Sequence, residues 1–175
     1  MPVPLQKFRE IVFQMLYSYD MGHATDECML ELLTSELSVT KKAVRDAQER
    51  VHTINAHQAE IDDKISATSH SYAFERIQSV ERNILRLAIY ELLYDKTIPY
   101  KVVMAEAARL TRKFASKEAA TFVNAILEAI HNVNIGESID TAKIIRSAEE
   151  LAEMERMAHE ASLAPKISPK IEPDS

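Results

Sequence analysis

An all-α fold follows from three features of the sequence. The interior holds a single proline, Pro99, and the whole chain has only two glycines, Gly22 and Gly136. Turn-rich β architectures need both residue types in quantity. Apolar residues recur at spacings of three and four in successive segments, the period of a helix that buries one face. Ser and Thr stand just ahead of several of these runs, where their side-chain oxygens can cap a helix start.

Taken in order, Leu5, Phe8, Val12, Met15, Leu16 and Tyr19 predict an amphipathic helix over 4–21, stopped by Gly22. Thr25 can cap a second helix with Met29, Leu32, Leu33 and Leu37 inward, and Cys28 in that run reads as a small core residue. Ser38 or Thr40 can cap a third through Val44, Ala47, Val51 and Ile54, followed by a shorter helix over 58–67. Residues 68–71 read as a loop and 72–77 as a short helical turn. Ser79 is placed to cap the most apolar helix, Val80 to Tyr94, whose Ile84, Leu85, Ala88, Leu92 and Leu93 make it central. Pro99 breaks the chain and opens a helix from Tyr100 to Phe114 with Val102, Val103, Ala107 and Leu110 inward. Ser116 can cap a further helix through Phe122, Val123, Ile126, Leu127 and Ile130, ended by 134–136. A charged helix over 140–161 follows, and the prolines of 164–175 predict a disordered tail.

Length and charge narrow the function classes. A chain of 175 residues is long enough for one continuous core. One cysteine excludes an intramolecular disulfide and fits a reducing compartment. No apolar run is long enough to span a membrane. Lys7, Arg9 and Glu10 interrupt the N-terminus before a signal sequence forms. A cytoplasmic protein is therefore expected. The net charge is −6, of which residues 136–175 contribute −4, from nine acids and five bases. Residues 96–117 instead carry Lys96, Lys101, Arg109, Arg112, Lys113 and Lys117 against Glu106 alone. A local basic stretch thus sits on a weakly acidic body.

Catalytic and metal chemistry find no motif. The six histidines form neither an H-E-x-x-H pair nor a Cys/His quartet. Two isolated glycines cannot build a phosphate-cradling Gly-rich loop, and no serine sits in a nucleophile elbow. No cofactor, metal or catalytic activity is expected. Binding has more support. Arg112, Lys113 and Lys117 surround a helix start, whose free N–H groups favour a phosphate. Phe122 follows within two turns. Spacing alone favours Phe122 as a core residue with a solvated cationic rim. The alternative is an accessible ring beside cations, the pairing that holds single-stranded RNA.

Three stretches bear on that choice: Arg9-Glu10-Ile11-Val12-Phe13-Gln14-Met15-Leu16-Tyr17, Val80 to Leu92, and Ile98 to Ala107 continued by Lys113-Phe114 and Phe122-Val123-Asn124. In order and spacing they resemble the opening, the central helix and the following helix pair of the NusB family, over about residues 5–133. The resemblance implies an all-α fold of two packed helical bundles, about seven helices, with an extra C-terminal helix here. It implies a NusB-like domain over 1–135, a helical extension over 136–163 and a tail over 164–175. It further implies binding to single-stranded boxA RNA of ribosomal RNA transcripts, together with a small-subunit ribosomal protein (NusE), within an antitermination complex on RNA polymerase. By the same resemblance Lys7, Arg9, Gln14, Arg112, Lys113, Lys117, Glu118 and Phe122 would face RNA, and Tyr17, Tyr72 and Glu81 the protein partner. Monomers and homodimers both occur in the family.

The chain also departs from the family. Its first helix has only Lys7 and Arg9 where the family is often arginine-rich, which should weaken phosphate contacts. Met104-Ala105 replaces a frequent Asn before Glu106, and Ala115 and Ala125 stand where glycine is favoured. The acidic extension beyond Gly136 lies outside the resemblance, and its bias suggests docking on the body or screening of RNA. Alternative readings are a helical scaffold that binds only proteins, or a relative of the RNA-binding domain of ribosomal RNA cytosine methyltransferases. The absence of a Gly-rich α/β segment from these 175 residues speaks against the latter.

Overall fold

A computed structural model of the protein describes residues 2–22, 25–70 and 72–164. Among them are eight α-helices, one 3-10 turn and no strand. The helices are α1 (Leu5–Asp20), α2 (Asp26–Glu36), α3 (Lys41–Ala56), α4 (Gln58–Thr68), α5 (Ser79–Leu93), α6 (Tyr100–Phe114), α7 (Lys117–Asn134) and α8 (Thr141–Leu163). The 3-10 turn spans Phe74–Arg76. From residue 165 on, the tail expected at 164–175 lies outside the described residues.

The helix ends follow from local chemistry. Thr25, Thr40 and Ser116 each accept a hydrogen bond from the N–H three residues on, at 3.4, 3.2 and 3.0 Å, satisfying a donor that the helix itself leaves free. Asp140 does the same for α8 at 3.1 Å. Gly22 and Gly136 take φ of +73° and +79° just beyond α1 and α7, the left-handed conformation that glycine adopts without cost. α5 differs from expectation. Ser79 lies inside its first turn, Gln78 is the cap residue, and no side chain caps the helix. α3 and α4 are separated by His57 alone, whose ring stacks on Tyr94 with centroids 4.1 Å apart.

Two helical groups meet at α5. α1 packs on α3 and α5, and α2 packs on α3. On other sides of α5 lie α4, α6 and α7. α8 lies along α7, burying Ile144, Ala148 and Leu151. Ile84, Leu85, Leu87, Ala88 and Ile89 of α5 are all buried, as a helix surrounded by others requires. Four side chains expected inward face solvent instead: Leu5 at the first position of α1, Cys28, Leu32 and Val102. Cys28, Leu32 and Val102 each directly precede a buried residue, Met29, Leu33 and Val103, so a shift of one position crosses from surface to core.

Charged side chains also join the groups. Arg86 of α5 forms a bidentate pair with Asp62 of α4, at 2.8 and 2.7 Å, and reaches Asp20 at the end of α1 at 3.2 Å. Arg82 and Asn83 donate to the same Asp20 carboxylate. Burial works against the Asp20 charge, but the bonds from Arg82 and Asn83 and the charges of Arg86 and Arg82 outweigh it and hold the carboxyl below its ordinary value.

Candidate nucleic-acid and partner interface

The basic corner forms where α6 ends and α7 begins. Arg112 and Lys113 occupy the last turn of α6, where the helix dipole favours cations, and Lys117 opens α7. Only Ala115 and Ser116 separate the two helices. Ala115 has φ −132°, on the negative side, so the corner does not need the glycine that the family favours. Arg112, Lys113 and Lys117 are all exposed. Among the described residues Arg112 and Lys117 have no ion pair, while Lys113 Nζ lies 3.0 Å from Glu10 of α1. Arg109 holds the other Glu10 oxygen at 2.6 Å. Burial opposes the Glu10 charge, yet Arg109 and Lys113 prevail and depress its pKa.

Two residues assigned to RNA lie elsewhere. Arg9 is 4% exposed, and its Nε donates to both Glu91 oxygens at 2.8 and 3.1 Å. Its guanidinium is thus spent on joining α1 to α5, and it has no face left for a phosphate. Phe122 is 0% exposed. Its ring packs 5.2 Å from that of Tyr72, tilted by 50°. The expected accessible ring at Phe122 is therefore corrected: the helical spacing that places it near the start of α7 also turns it inward among buried Ala119, Val123 and Ile126. Lys7 is half-buried, and its Nζ donates to the Leu37 carbonyl at 2.9 Å.

The ring that does stand beside the cations is Phe114, one of the residues that carry the family resemblance. It is half-buried, and Lys113 Nζ lies 5.5 Å from its centroid. Phe13 packs against it at 4.9 Å. The available signal was its position: an aromatic at the last residue of α6, beside two cations, is more open than one inside a helix. Phe114 borders a groove of about 320 Å³ lined also by Phe13, Gln14, Tyr17, Leu32 and Val80. The fold thus brings Gln14 and Tyr17 of α1, the start of α5 and the basic end of α6 to one face.

Glu81 lies in the first turn of α5, and Tyr72 in the segment that leads into it. Glu81 is 4% exposed, and one of its carboxyl oxygens has no hydrogen-bond partner among the described residues. Burial, with a contribution from the Glu155 charge, raises its pKa. Tyr72 is buried and donates to Glu155 of α8 at 3.0 Å. Burial and the Glu155 charge push its hydroxyl pKa up to about 12. Both residues assigned to a protein partner are thus covered in this structure, whereas Tyr17 remains half-open. Glu118 is half-buried, sharing a groove with Glu149, Glu150, Glu153, Met154 and Met157 of α8.

Among the described residues no group of three or more His, Cys, Asp and Glu could hold a metal ion. No helix among them is long and apolar enough to cross a membrane.

Comparison with known proteins points in one direction. A model of the NusB family matches residues 6–132. The transcription antitermination protein NusB of Chlamydia pneumoniae is 37% identical over 127 residues, covering 73% of this chain and 79% of that one. NusB of T. maritima superposes with a TM-score of 0.66 at 32% identity, covering 75% of this chain and 93% of that one. A structure of the antitermination factors NusB and NusE in complex with double-stranded RNA gives 0.62 at 30%, covering 73% and 96%. With the family model matching most of its length and a relative 37% identical over 73% of it, the chain belongs to the NusB family.

Proposed function

We propose that the protein is a transcription antitermination factor of the cytoplasm, without catalytic activity. It would bind boxA RNA of ribosomal RNA transcripts together with the ribosomal protein NusE, and join the antitermination complex on RNA polymerase. The observation that carries this reading is the exposed cationic corner of Arg112, Lys113 and Lys117 in a chain whose relative has been solved with NusE and RNA. Exposed cations at a helix start attract phosphates through both charge and free N–H groups. Phe114, rather than Phe122, is the ring that this corner offers to an unstacked base. The apolar groove beside Tyr17 and Val80 supplies a surface for NusE.

A gel-shift titration with a boxA oligoribonucleotide, with and without NusE, tests the reading. Salt-sensitive binding that NusE tightens is the expected result; binding of NusE with no RNA shift at any salt would sink it. That last outcome would instead favour a scaffold that binds only proteins, to which the same groove is suited.

A further inference from the structure

α8 lies beyond residues 6–132, which match the family. Its buried stripe, Ile144, Ala148 and Leu151, repeats at four and three and belongs to the side that packs on α7. Glu155 follows Leu151 by four residues and so stands on the same stripe. It is half-buried, while every residue from Arg156 to Leu163 is exposed. Glu155 is therefore the last side chain of α8 held against the body.

Its carboxylate rests on the segment that leads into α5. It accepts hydrogen bonds from the Tyr72 hydroxyl at 3.0 Å and from the Gln78 amide at 3.2 Å. Glu81 follows Gln78 by three residues, which places both on one side of the first turn of α5. Glu81 is 4% exposed, and one of its oxygens has no hydrogen-bond partner among the described residues. The Glu155 charge adds to burial in opposing its ionisation. Docking of α8 thus leaves Glu155 supplied with donors and Glu81 short of one, and a buried acceptor without a donor is an unmade bond.

The contact can open at little cost. The Tyr72 hydroxyl has one proton to give and a second acceptor at hand, the Arg76 carbonyl at 3.4 Å. Gln78 is exposed, so its amide passes to water. Val80, in the same turn as Glu81, lines the apolar groove assigned to NusE, so a segment seated in that groove runs beside the contact.

We propose that α8 is a displaceable cover on the start of α5: Glu155 occupies Tyr72 and Gln78, and a protein partner that brings a hydrogen-bond donor to the unpaired Glu81 oxygen lifts it in order to bind. This rests on the reading above, in which that partner is NusE. While the cover is closed the chain is not competent at this face, and the apparent affinity for the partner falls by the fraction that is closed.

The test uses the full chain, as the parent and as Glu155→Ala, titrated with NusE by calorimetry and separately with a boxA oligoribonucleotide. The variant is expected to bind NusE about 3- to 10-fold more tightly, with RNA affinity unchanged within about twofold. Amide exchange of the parent gives a second reading that needs no substitution. NusE should speed exchange across 152–163 and slow it around Val80 and Glu81. Slowed exchange across 152–163 would make α8 part of the interface and overturns the cover. A gain of equal size for RNA overturns it as well, because the effect would not be confined to this face. If the parent binds NusE and the variant binds it no better, the NusE reading stands and the cover falls. If neither form binds NusE, both fall.

Discussion

Arg9 and Glu91 form a buried, two-bonded ion pair between α1 and α5, with Arg9 Nε 2.8 and 3.1 Å from the two carboxylate oxygens. Glu106 of α6 stands 3.7 Å from the same guanidinium. Three helices therefore share one charge cluster in the core. Removing one partner of such a cluster strands the others without solvent. Arg9→Ala is expected to cost about 3–5 kcal/mol of stability, measured by urea denaturation. The salt dependence of RNA binding by the folded variant should match the parent. A loss of salt sensitivity with intact stability would return Arg9 to the RNA surface.

Phe122→Ala should act on folding in the same way. The ring is fully buried and packs on Tyr72, so its removal leaves a cavity worth about 3–5 kcal/mol. Thermal unfolding reads this directly. A variant that stays as stable as the parent but loses RNA affinity would mean that the ring reaches RNA after all.

Glu81 and Asp20 should give pH dependences of opposite sign. Glu81, its pKa raised by burial and by Glu155, binds its proton more tightly in the folded protein than in the unfolded chain. Its contribution is fully present below the ordinary carboxylate value and is lost as pH rises through its raised value. Glu81→Gln should abolish this loss and leave the protein at least as stable at neutral pH. Asp20 is depressed because the Arg82 and Asn83 bonds and the nearby arginine charges outweigh its burial. Its contribution is present above the ordinary carboxylate value and is lost as pH falls through its lowered value. Asp20→Asn should remove that acid-side loss and destabilise at neutral pH. Denaturation midpoints across pH 3 to 8, on the order of the carboxylate range, distinguish the two slopes.

Lys117→Ala should leave stability within about 0.5 kcal/mol, because the side chain is exposed and unpaired among the described residues. It should lower RNA affinity and make the slope of log K against log salt shallower by about 0.7–0.9, the contribution of one phosphate contact. An unchanged slope would remove Lys117 from the interface.

Leu32→Glu addresses the groove. Leu32 is 48% exposed and lines it with Tyr17 and Phe114. The variant is expected to fold normally and to lose affinity for NusE, read by calorimetry, while direct RNA binding persists. Equal loss of both would place RNA and protein on the same surface.

The helices were legible in the sequence because each carries its own period and its own punctuation. Pro99 and Ser116 bracket α6 as expected, and Thr25 and Thr40 cap the helices they precede. The site was less legible because its contents depend on partners far away in sequence. Arg9 reads as a surface cation until Glu91, 82 residues on, is brought beside it. Phe122 reads as core on its spacing, and only the family resemblance turns it toward RNA; the structure follows the spacing. Ser79 shows the local limit: its hydroxyl suits a cap, yet the helix begins one residue early and leaves Gln78 at the cap with no side-chain bond. The seam of α8 on α7 was invisible because an amphipathic stripe tells which face is buried and not what covers it.

The one-residue joint at His57 carries a consequence for the architecture as a whole. The chain crosses from one helical group to the other with no slack, and the imidazole clamped on Tyr94 fixes the elbow against the end of α5. The two halves cannot drift like beads on a string. A ligand held by one half would therefore pull on a frame joined to the other without a flexible linker.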